Sequence, residues 1–337
     1  MRCPRCAALP ETPVDRRQVL GLLAAGAAPL AGVAQDLTPA RPLPFRLRSR
    51  FWMNLHHTLA EAFQPRSQRG DWRQPQGWSA QETQDWLDAL QAYRHAFAEQ
   101  DLLDDDRFQA LRLALLGLGD SQPLPAMEAA LQPLAQALSQ AAAPYRRQLW
   151  PAHDAANQAW MQEARTRLSR WGSALRERLE AVLQPALPEL ILVDLVPLSG
   201  DRRGAYTDGQ PPHTVMPSLS EDYQGDAALE MLFHEASHTG MDDRLREDIE
   251  ALLAPRGLQD RKQLWHAVQF YTVGHVTQRL LSVSGRDYLP YAQRRGVFGR
   301  GWAFAVEPLN AHWRPFLEGR RPRTQALAGL VAACYPA

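Results

Sequence analysis

Lysine is almost absent from this chain of 337 residues, because Lys262 is the only one and arginine supplies the rest of the positive charge. An excess of either charge is also missing, since 37 basic residues balance 37 acidic residues. A chain without net charge has no global field that attracts nucleic acid or anionic lipid. The composition therefore excludes a general polyanion-binding protein, and we expect no nucleic-acid partner.

Cysteine is scarce as well, with Cys3, Cys6 and Cys334 as the three examples. Three cysteines are too few for the disulfide framework of a small secreted domain. Beyond the N-terminal segment, no uncharged run of about twenty residues is long enough to cross a bilayer. Hydrophobic residues make up 45% of the chain, which is enough for a proper core. We expect a globular protein without a stable membrane span.

The N-terminal segment has the features of an export signal. Arg16 and Arg17 precede a weakly apolar stretch, rich in glycine and alanine, that extends to about Ala34. Twin arginines before such a stretch resemble a Tat-type signal peptide, which exports folded proteins. We predict that residues 1–34 are this signal peptide, cleaved after Ala34, and that the mature protein is periplasmic or secreted. The alternative is a buried N-terminal helix.

Apolar residues recur at three- and four-residue spacing between Arg41 and Pro188, which predicts a helical N-terminal region over residues 35–186. Its predicted helices span about 50–64, 80–99, 104–117, 124–141 and 144–183.

The sequence changes character near residue 186. Residues 187–197 and 213–217 are rich in β-branched and apolar residues and end at proline, which predicts two strands. Helices are predicted again at 226–240 and 261–284. The fold class that follows is α+β and predominantly α, with a catalytic region over residues 187–337 that contains a small sheet.

The motif His234-Glu235-Ala236-Ser237-His238 lies on the predicted helix 226–240. Two histidines four residues apart share one face of a helix, so both imidazoles can bind a single metal ion. Glu235 is placed to take a proton from a water molecule that the metal polarises. The pattern predicts a zinc site with His234 and His238 as ligands and Glu235 as general base. The opposing interpretation is a solvated helix face with coincidental histidines.

This arrangement resembles the zincin metallopeptidases over about residues 189 to 285. The resemblance implies one zinc ion on His234 and His238, with Glu235 as the general base. It also implies that an edge strand before the active helix holds an extended peptide or protein substrate, a role that we expect for His213–Pro217. Ala236 departs from the family, in which a bulky apolar residue usually follows the glutamate.

The third ligand distinguishes the branches of that superfamily. Metzincins continue the motif with a glycine and a third histidine, but this chain has Met241 and Arg244 at those two positions. Gluzincins take a glutamate from a following helix, but no glutamate occurs between Ala251 and Val306. We therefore expect a gluzincin-like site in which a histidine is the third ligand.

The predicted helix 261–284 offers two histidines nine residues apart, and these lie on opposite faces of a helix. His275 shares its face with apolar and small polar residues, whereas His266 shares its face with Lys262 and Gln263, which indicates solvent. We predict His275 as the third ligand. The alternatives are His266, Asp287, Glu250 and Glu307.

Hydrogen-bond donors for a transition state follow the same helix. Tyr271 lies one turn before His275, and Tyr291 lies in a glycine-punctuated segment that could fold over the cleft. We predict that these tyrosines stabilise a developing oxyanion. Further candidates in that segment are Arg286, Tyr288 and Arg294.

A second histidine pair, His56 and His57, lies on the first predicted helix. Adjacent helical residues point about 100° apart and rarely share a metal ion. We expect one of the two to face the core, and the sequence leaves open whether either reaches the cleft.

These patterns predict an exported zinc-dependent hydrolase, most simply a metallopeptidase. A protein of another class would be a zincin-like protein that binds metal and a periplasmic partner without catalysis. Glu235 favours an enzyme, because a binding-only site needs no general base. A third possibility is a zinc hydrolase that acts on a non-peptide amide or ester.

Overall fold

The computed structural model describes residues 41–63, 77–97, 106–199, 204–208 and 210–336. The predicted signal peptide lies outside these residues. Within the described ranges, no helix combines the length and the apolar character that crossing a membrane requires.

A four-stranded sheet lies at the centre of the site region. Its strands are β1 (Phe45–Ser49), β2 (Ile191–Val196), β3 (Tyr206–Asp208) and β4 (His213–Pro217), in the order β1-β2-β4-β3. Neighbouring strands are parallel except β3, which is antiparallel to β4. The two predicted strands are confirmed as β2 and β4, and the predominantly helical α+β class is confirmed with them.

The position of β4 corrects one expectation. His213–Pro217 is buried along its whole length and pairs with β2 on one side and β3 on the other. Both hydrogen-bonding edges of β4 are therefore occupied from His213 to Val215, so β4 is an inner strand and not the edge strand that was expected to hold a peptide. The terminal strand on this side of the sheet is β3, which is only three residues long.

Helices before the second strand form the N-terminal part of the fold. They are α1 (Phe51–Phe63), α2 (Ala80–Phe97), α3 (Asp106–Leu115), α4 (Gln132–Gln148), α5 (Trp150–Arg167) and α6 (Ser173–Leu183). Pro151 lies in the first turn of α5, where a missing backbone N–H costs nothing. A π-helical turn at Leu168–Gly172 joins α5 to α6, so most of the predicted long helix is present.

Helices after the sheet carry the candidate site. They are α7 (Gly225–Ser237), α8 (Met241–Leu253), α9 (Leu264–Val283), α10 (Tyr291–Arg294), α11 (Val297–Gly301), α12 (Ala303–Pro308), α13 (Arg314–Leu317) and α14 (Arg323–Cys334). The two predicted helices of this region correspond to α7 and α9. The sequence did not predict α8, which follows α7 directly and becomes important for the site.

The packing divides the buried apolar residues within the N-terminal helices. Helices α1 to α4 enclose one cluster around Phe51, Trp86 and Tyr145. Trp160 and the later residues of α5 and α6 pack instead with the sheet and α7. Strand β1 also joins the sheet, so part of the region before residue 186 supports helix α7. The domain boundary near residue 186 stays a prediction.

Candidate metal centre

Helix α7 carries His234 and Glu235 of the motif and is buried along most of its length. Every residue from Ala227 to Ser237 is buried, which is why the helix has little polar face in its sequence. Phe233 packs edge-on against Phe45 of β1, with ring centres 5.1 Å apart. The sheet and the surrounding helices therefore fix the axis on which His234 and Glu235 lie.

Three histidines meet at the end of α7. One ligand atom from each of His234, His238 and His266 lies within 4.8 Å of the other two. The imidazole centres are 5.0 Å apart for His234–His238 and for His238–His266, and 5.6 Å apart for His234–His266. Such a group can hold one metal ion, because three nitrogens around one point leave a fourth position open.

The donor atoms fit a metal. Nδ1 of His234 and Nε2 of His266 are buried, and neither has a hydrogen-bond partner among the described residues. A buried nitrogen without a partner costs free energy, which a bond to a metal would offset. Burial lowers the pKa of His234 well below its usual value, and it lowers the pKa of His266 to about 3. Both imidazoles are therefore neutral, as metal ligands must be.

A sharp turn after the motif brings a carboxylate to His238. Helix α7 ends at Ser237, and Gly240 takes a φ of 126°, which favours glycine, before α8 begins. Asp242 in the first turn of α8 accepts a hydrogen bond from Nδ1 of His238 at 3.3 Å. The contact orients the ring and leaves its Nε2 for a metal, as carboxylate partners of ligand histidines do.

The backbone of the motif is held by α9. Nε2 of Gln269 donates to the Ser237 hydroxyl at 2.6 Å and to the carbonyl oxygen of His234 at 3.3 Å. The ring of Phe270, one residue later, lies 3.7 Å from the His234 ring, centre to centre. These contacts fix α9 against the ligand helix at the point where His266 enters the group.

Glu235 is held by the terminal strand of the sheet. The Thr207 hydroxyl on β3 lies 2.9 Å from Oε2 of Glu235 and 3.0 Å from its carbonyl oxygen. Burial raises the pKa of Glu235, although the neighbouring His238 and the Thr207 hydrogen bond act in the opposite direction. A carboxyl with a raised pKa is a better proton acceptor than an exposed one.

Tyr291, one of the two predicted donors, contacts Tyr223. Its hydroxyl is 3.2 Å from the Tyr223 hydroxyl, which accepts a hydrogen bond from the Ala205 backbone N–H just before β3. The pKa of Tyr223 is raised well above its usual value, first by burial and also by the charges of Tyr291 and Glu235. Tyr223 is thus close enough to Glu235 for the carboxylate charge to act on its hydroxyl.

Tyr271 and His275 lie outside the histidine group. Their rings stack on each other with centres 6.1 Å apart, and the Tyr271 hydroxyl donates to Asn310 at 2.7 Å. Both line a cavity of about 420 Å³ that Phe270 also borders. The expectation for His275 is therefore wrong as regards its position: His275 is not in the histidine group, and His266 is the third histidine there.

The correction has a physical cause in the start of α9. Because the helix begins at Leu264, Lys262 and Gln263 precede it and share no helical face with His266. Gln269, a polar residue on the same helix, is only 1% exposed and makes the hydrogen bonds to α7. Trp265 and Phe270 flank His266 and are the sequence signal that could have identified a buried face.

The remaining candidates have other partners or positions. Tyr288 donates to Glu230, Arg286 pairs with Asp226, and Arg294 donates to the carbonyl oxygen of Asp222. Of the alternative ligands, Glu250 accepts from the Asp260 backbone, Asp287 borders the 420 Å³ cavity, and Glu307 is exposed.

His57 reaches β3 but not the histidine group. Its Nε2 accepts a hydrogen bond from the Tyr206 hydroxyl at 2.6 Å, and its Nδ1 donates to the Met53 carbonyl at 2.8 Å. His56 contacts the Tyr93 hydroxyl in the same helical core. Both are fully buried core residues, whereas the sequence predicted this for one of them.

A buried charge network lies on the other face of β3. Arg112 of α3 donates to both oxygens of Asp208, at 2.8 and 3.1 Å. His213 lies between Asp208 and Asp194, and Arg48 of β1 pairs with Asp194. Burial lowers the pKa of His213, but hydrogen bonds to the two carboxylates outweigh it and raise the pKa. The network ties β3 to the N-terminal helices.

Glu230 gives a pH-dependent prediction. Burial raises its pKa to about 7, while the Tyr288 hydroxyl and the Tyr291 backbone N–H donate to it. Because this folded-state pKa exceeds the unfolded value, the carboxyl's contribution to stability falls as pH rises from about 4.5 to 7. Glu230→Gln mimics the neutral carboxyl. Between pH 5 and pH 8, the free energy of unfolding of the parent should therefore fall by about 2 kcal/mol more than that of Glu230→Gln.

The check is the free energy of unfolding from urea titrations of both proteins at the two pH values. Equal pH dependence in Glu230→Gln and the parent would contradict the assignment of a neutral Glu230.

Comparison with known proteins gives no relative: no protein-family model matches the chain, and no significant match is found among curated proteins or solved structures. A proposal about function therefore depends on the residues of the site.

Proposed function

We propose that this protein is a zinc-dependent hydrolase, a metallopeptidase, with His234, His238 and His266 as the ligands. The observation that carries the proposal is the histidine group, with ligand atoms within 4.8 Å of one another, beside the buried carboxyl of Glu235. Three imidazole ligands with an open fourth position are typical of catalytic zinc. Bound zinc would act as a Lewis acid toward a substrate carbonyl and toward water.

Glu235 is the general base in this proposal. Thr207 donates to its Oε2, which fixes the carboxylate and leaves Oε1 to accept a proton from the attacking water. The same oxygen can then give that proton to the leaving amine, as general acid–base catalysis requires. The hydrogen bond from Thr207 to Glu235 favours an enzyme over a metal-binding protein without catalysis, because a site that only binds metal needs no positioned base.

A peptide substrate is supported by the sheet. β3 is the terminal strand next to the site, and extended peptides bind to proteins by adding a strand at such an edge. The Tyr223–Tyr291 pair offers a hydroxyl donor near Glu235 for the developing oxyanion. Together these features favour a peptide amide over a small ester. The twin arginines Arg16 and Arg17 support the further proposal that the protein acts after export.

The proposal is tested by metal content and cleavage together. We expect the purified protein to bind one equivalent of zinc and to release peptides, detected by mass spectrometry, from a mixture of denatured proteins. Chelation should stop the cleavage and zinc should restore it. A protein that fails to bind zinc, or that binds zinc but cleaves no member of the mixture, would contradict the peptidase.

A further inference from the structure

Arg246 on α8 contacts the supporting residues of two histidines at once. Its Nη2 donates to Oδ2 of Asp242 at 3.2 Å. Its guanidinium carbon lies 3.3 Å from the centre of the Trp265 ring, which is close for a cation over an aromatic face. Its side chain is 45% exposed, whereas Asp242 and Trp265 are both buried.

The hydrogen bond to Asp242 connects Arg246 to His238. Oδ2 of Asp242 accepts from Arg246 and also from Nδ1 of His238, at 3.3 Å. One carboxylate oxygen therefore joins the guanidinium to the imidazole. Loss of Arg246 would free Asp242 to rotate, and the orientation of the His238 ring would be less fixed.

The contact with the Trp265 ring connects Arg246 to His266. The rings of Trp265 and His266 are nearly parallel, at 9°, with centres 4.7 Å apart. The indole that touches the guanidinium thus also lies against the imidazole. Without the cation on its face, Trp265 would lose a packing partner that restricts its position, and His266 would be held less firmly.

We infer that Arg246 is a positioning residue that orients His238 and His266 together, so that metal affinity depends on a planar cation at this position. The inference rests on the proposed metal site but not on hydrolysis. Arginine is needed because its flat guanidinium can hydrogen-bond to a carboxylate and stack on an indole at the same time. A lysine can hydrogen-bond to the carboxylate, but it has no flat group that could stack on the indole.

Helix α8 supplies a matched control. Arg244 lies two residues before Arg246 and forms an ion pair with Asp248 at 3.2 Å, also across four residues of the helix. It is 53% exposed, similar to Arg246. Its carboxylate partner, Asp248, also pairs with Arg323, and among the described residues it makes no hydrogen bond or ion pair with the histidine group. Arg244→Gln therefore removes the same charge and the same kind of surface ion pair without touching the ligands.

The experiment uses cobalt(II) as the probe metal, because its absorption bands report ligand geometry. We expect Arg246→Gln to weaken cobalt binding roughly 10- to 100-fold, the range for loss of a residue that supports a ligand, and to change the spectrum. Arg246→Lys should fall between the parent and Arg246→Gln. Arg244→Gln should bind as the parent does. The metal-free forms of both glutamine variants should unfold at the same temperature.

Unchanged cobalt binding in Arg246→Gln would overturn the inference, as would an equal loss in Arg244→Gln. Parent-like binding in Arg246→Lys would overturn the role of the Trp265 contact. A lower unfolding temperature of metal-free Arg246→Gln would indicate a general structural role instead. If the parent binds no metal, the proposed site itself fails, whereas a parent that binds metal but cleaves nothing leaves this inference standing.

Discussion

Replacing Glu235 by glutamine should leave the protein folded and able to bind zinc, while lowering turnover by roughly 10²- to 10⁴-fold. That loss corresponds to about 3 to 5 kcal/mol of transition-state stabilisation. Glutamine has the shape of glutamate and its amide oxygen can still accept from Thr207, so the local packing is preserved. What disappears is the ability to accept a proton from water.

The measurements are zinc content and peptide release for Glu235→Gln and the parent under the same conditions. Glu247→Gln is the matched control, because Glu247 is exposed on α8 and its substitution should leave turnover unchanged. Parent-like turnover in Glu235→Gln would remove the proposed general base. It would favour the alternative of a metal-binding protein that recognises a partner without catalysis.

The second large effect concerns the third ligand. His266→Ala should lower zinc affinity by more than the roughly 100-fold expected for a supporting residue, because it removes one of three bonds to the metal. His275→Ala should bind zinc like the parent, since His275 stacks on Tyr271 outside the histidine group.

Thermal unfolding with and without zinc gives an independent readout of the same pair. A metal that binds only the folded state stabilises it by mass action, so the parent and His275→Ala should gain stability from zinc while His266→Ala should not. The opposite result, in which His275→Ala alone loses the zinc-dependent gain, would return the third ligand to the residue first predicted from the sequence.

The sequence was most informative where the helical periodicity of a segment coincides with the spacing of metal-binding side chains. The motif predicts His234, Glu235 and His238 on one helix, and α7 carries the first two, with His238 as the residue that follows its last turn. Strands β2 and β4 were recognisable because both segments are short, contain β-branched and apolar residues and are closed by a proline. The roles of these residues in catalysis remain predictions, but their grouping did not require the fold.

The third histidine could not be chosen from helical periodicity alone. A face assignment depends on where the helix begins, and the difference between a start at 261 and at Leu264 decides which residues share the face of His266. Polar residues such as Gln269 and Thr277 also indicate solvent by pattern, although both are buried against other elements. Burial by tertiary contacts outweighs local polarity at such positions.

The terminal strand was missed for a different reason. β3 has only three residues, and its strand conformation depends on pairing with β4 and on contacts from outside the strand. Thr207 faces Glu235, while Tyr206 and Asp208 point to the opposite side, where His57 and Arg112 contact them. None of these partners is near β3 in the sequence, so no local pattern could reveal the strand.

The pairing of β1 with β2 has a consequence for any fragment of this protein. A chain cut near residue 186 would keep all three histidines but lose β1, whose backbone covers Ile191–Leu195. The uncovered edge would present unpaired N–H and C=O groups beside buried apolar side chains, which is a template for strand addition between molecules. Asp208 would also lose Arg112. Such a fragment is expected to self-associate, so the segment that begins at Phe45 protects the solubility of the half that carries the histidines.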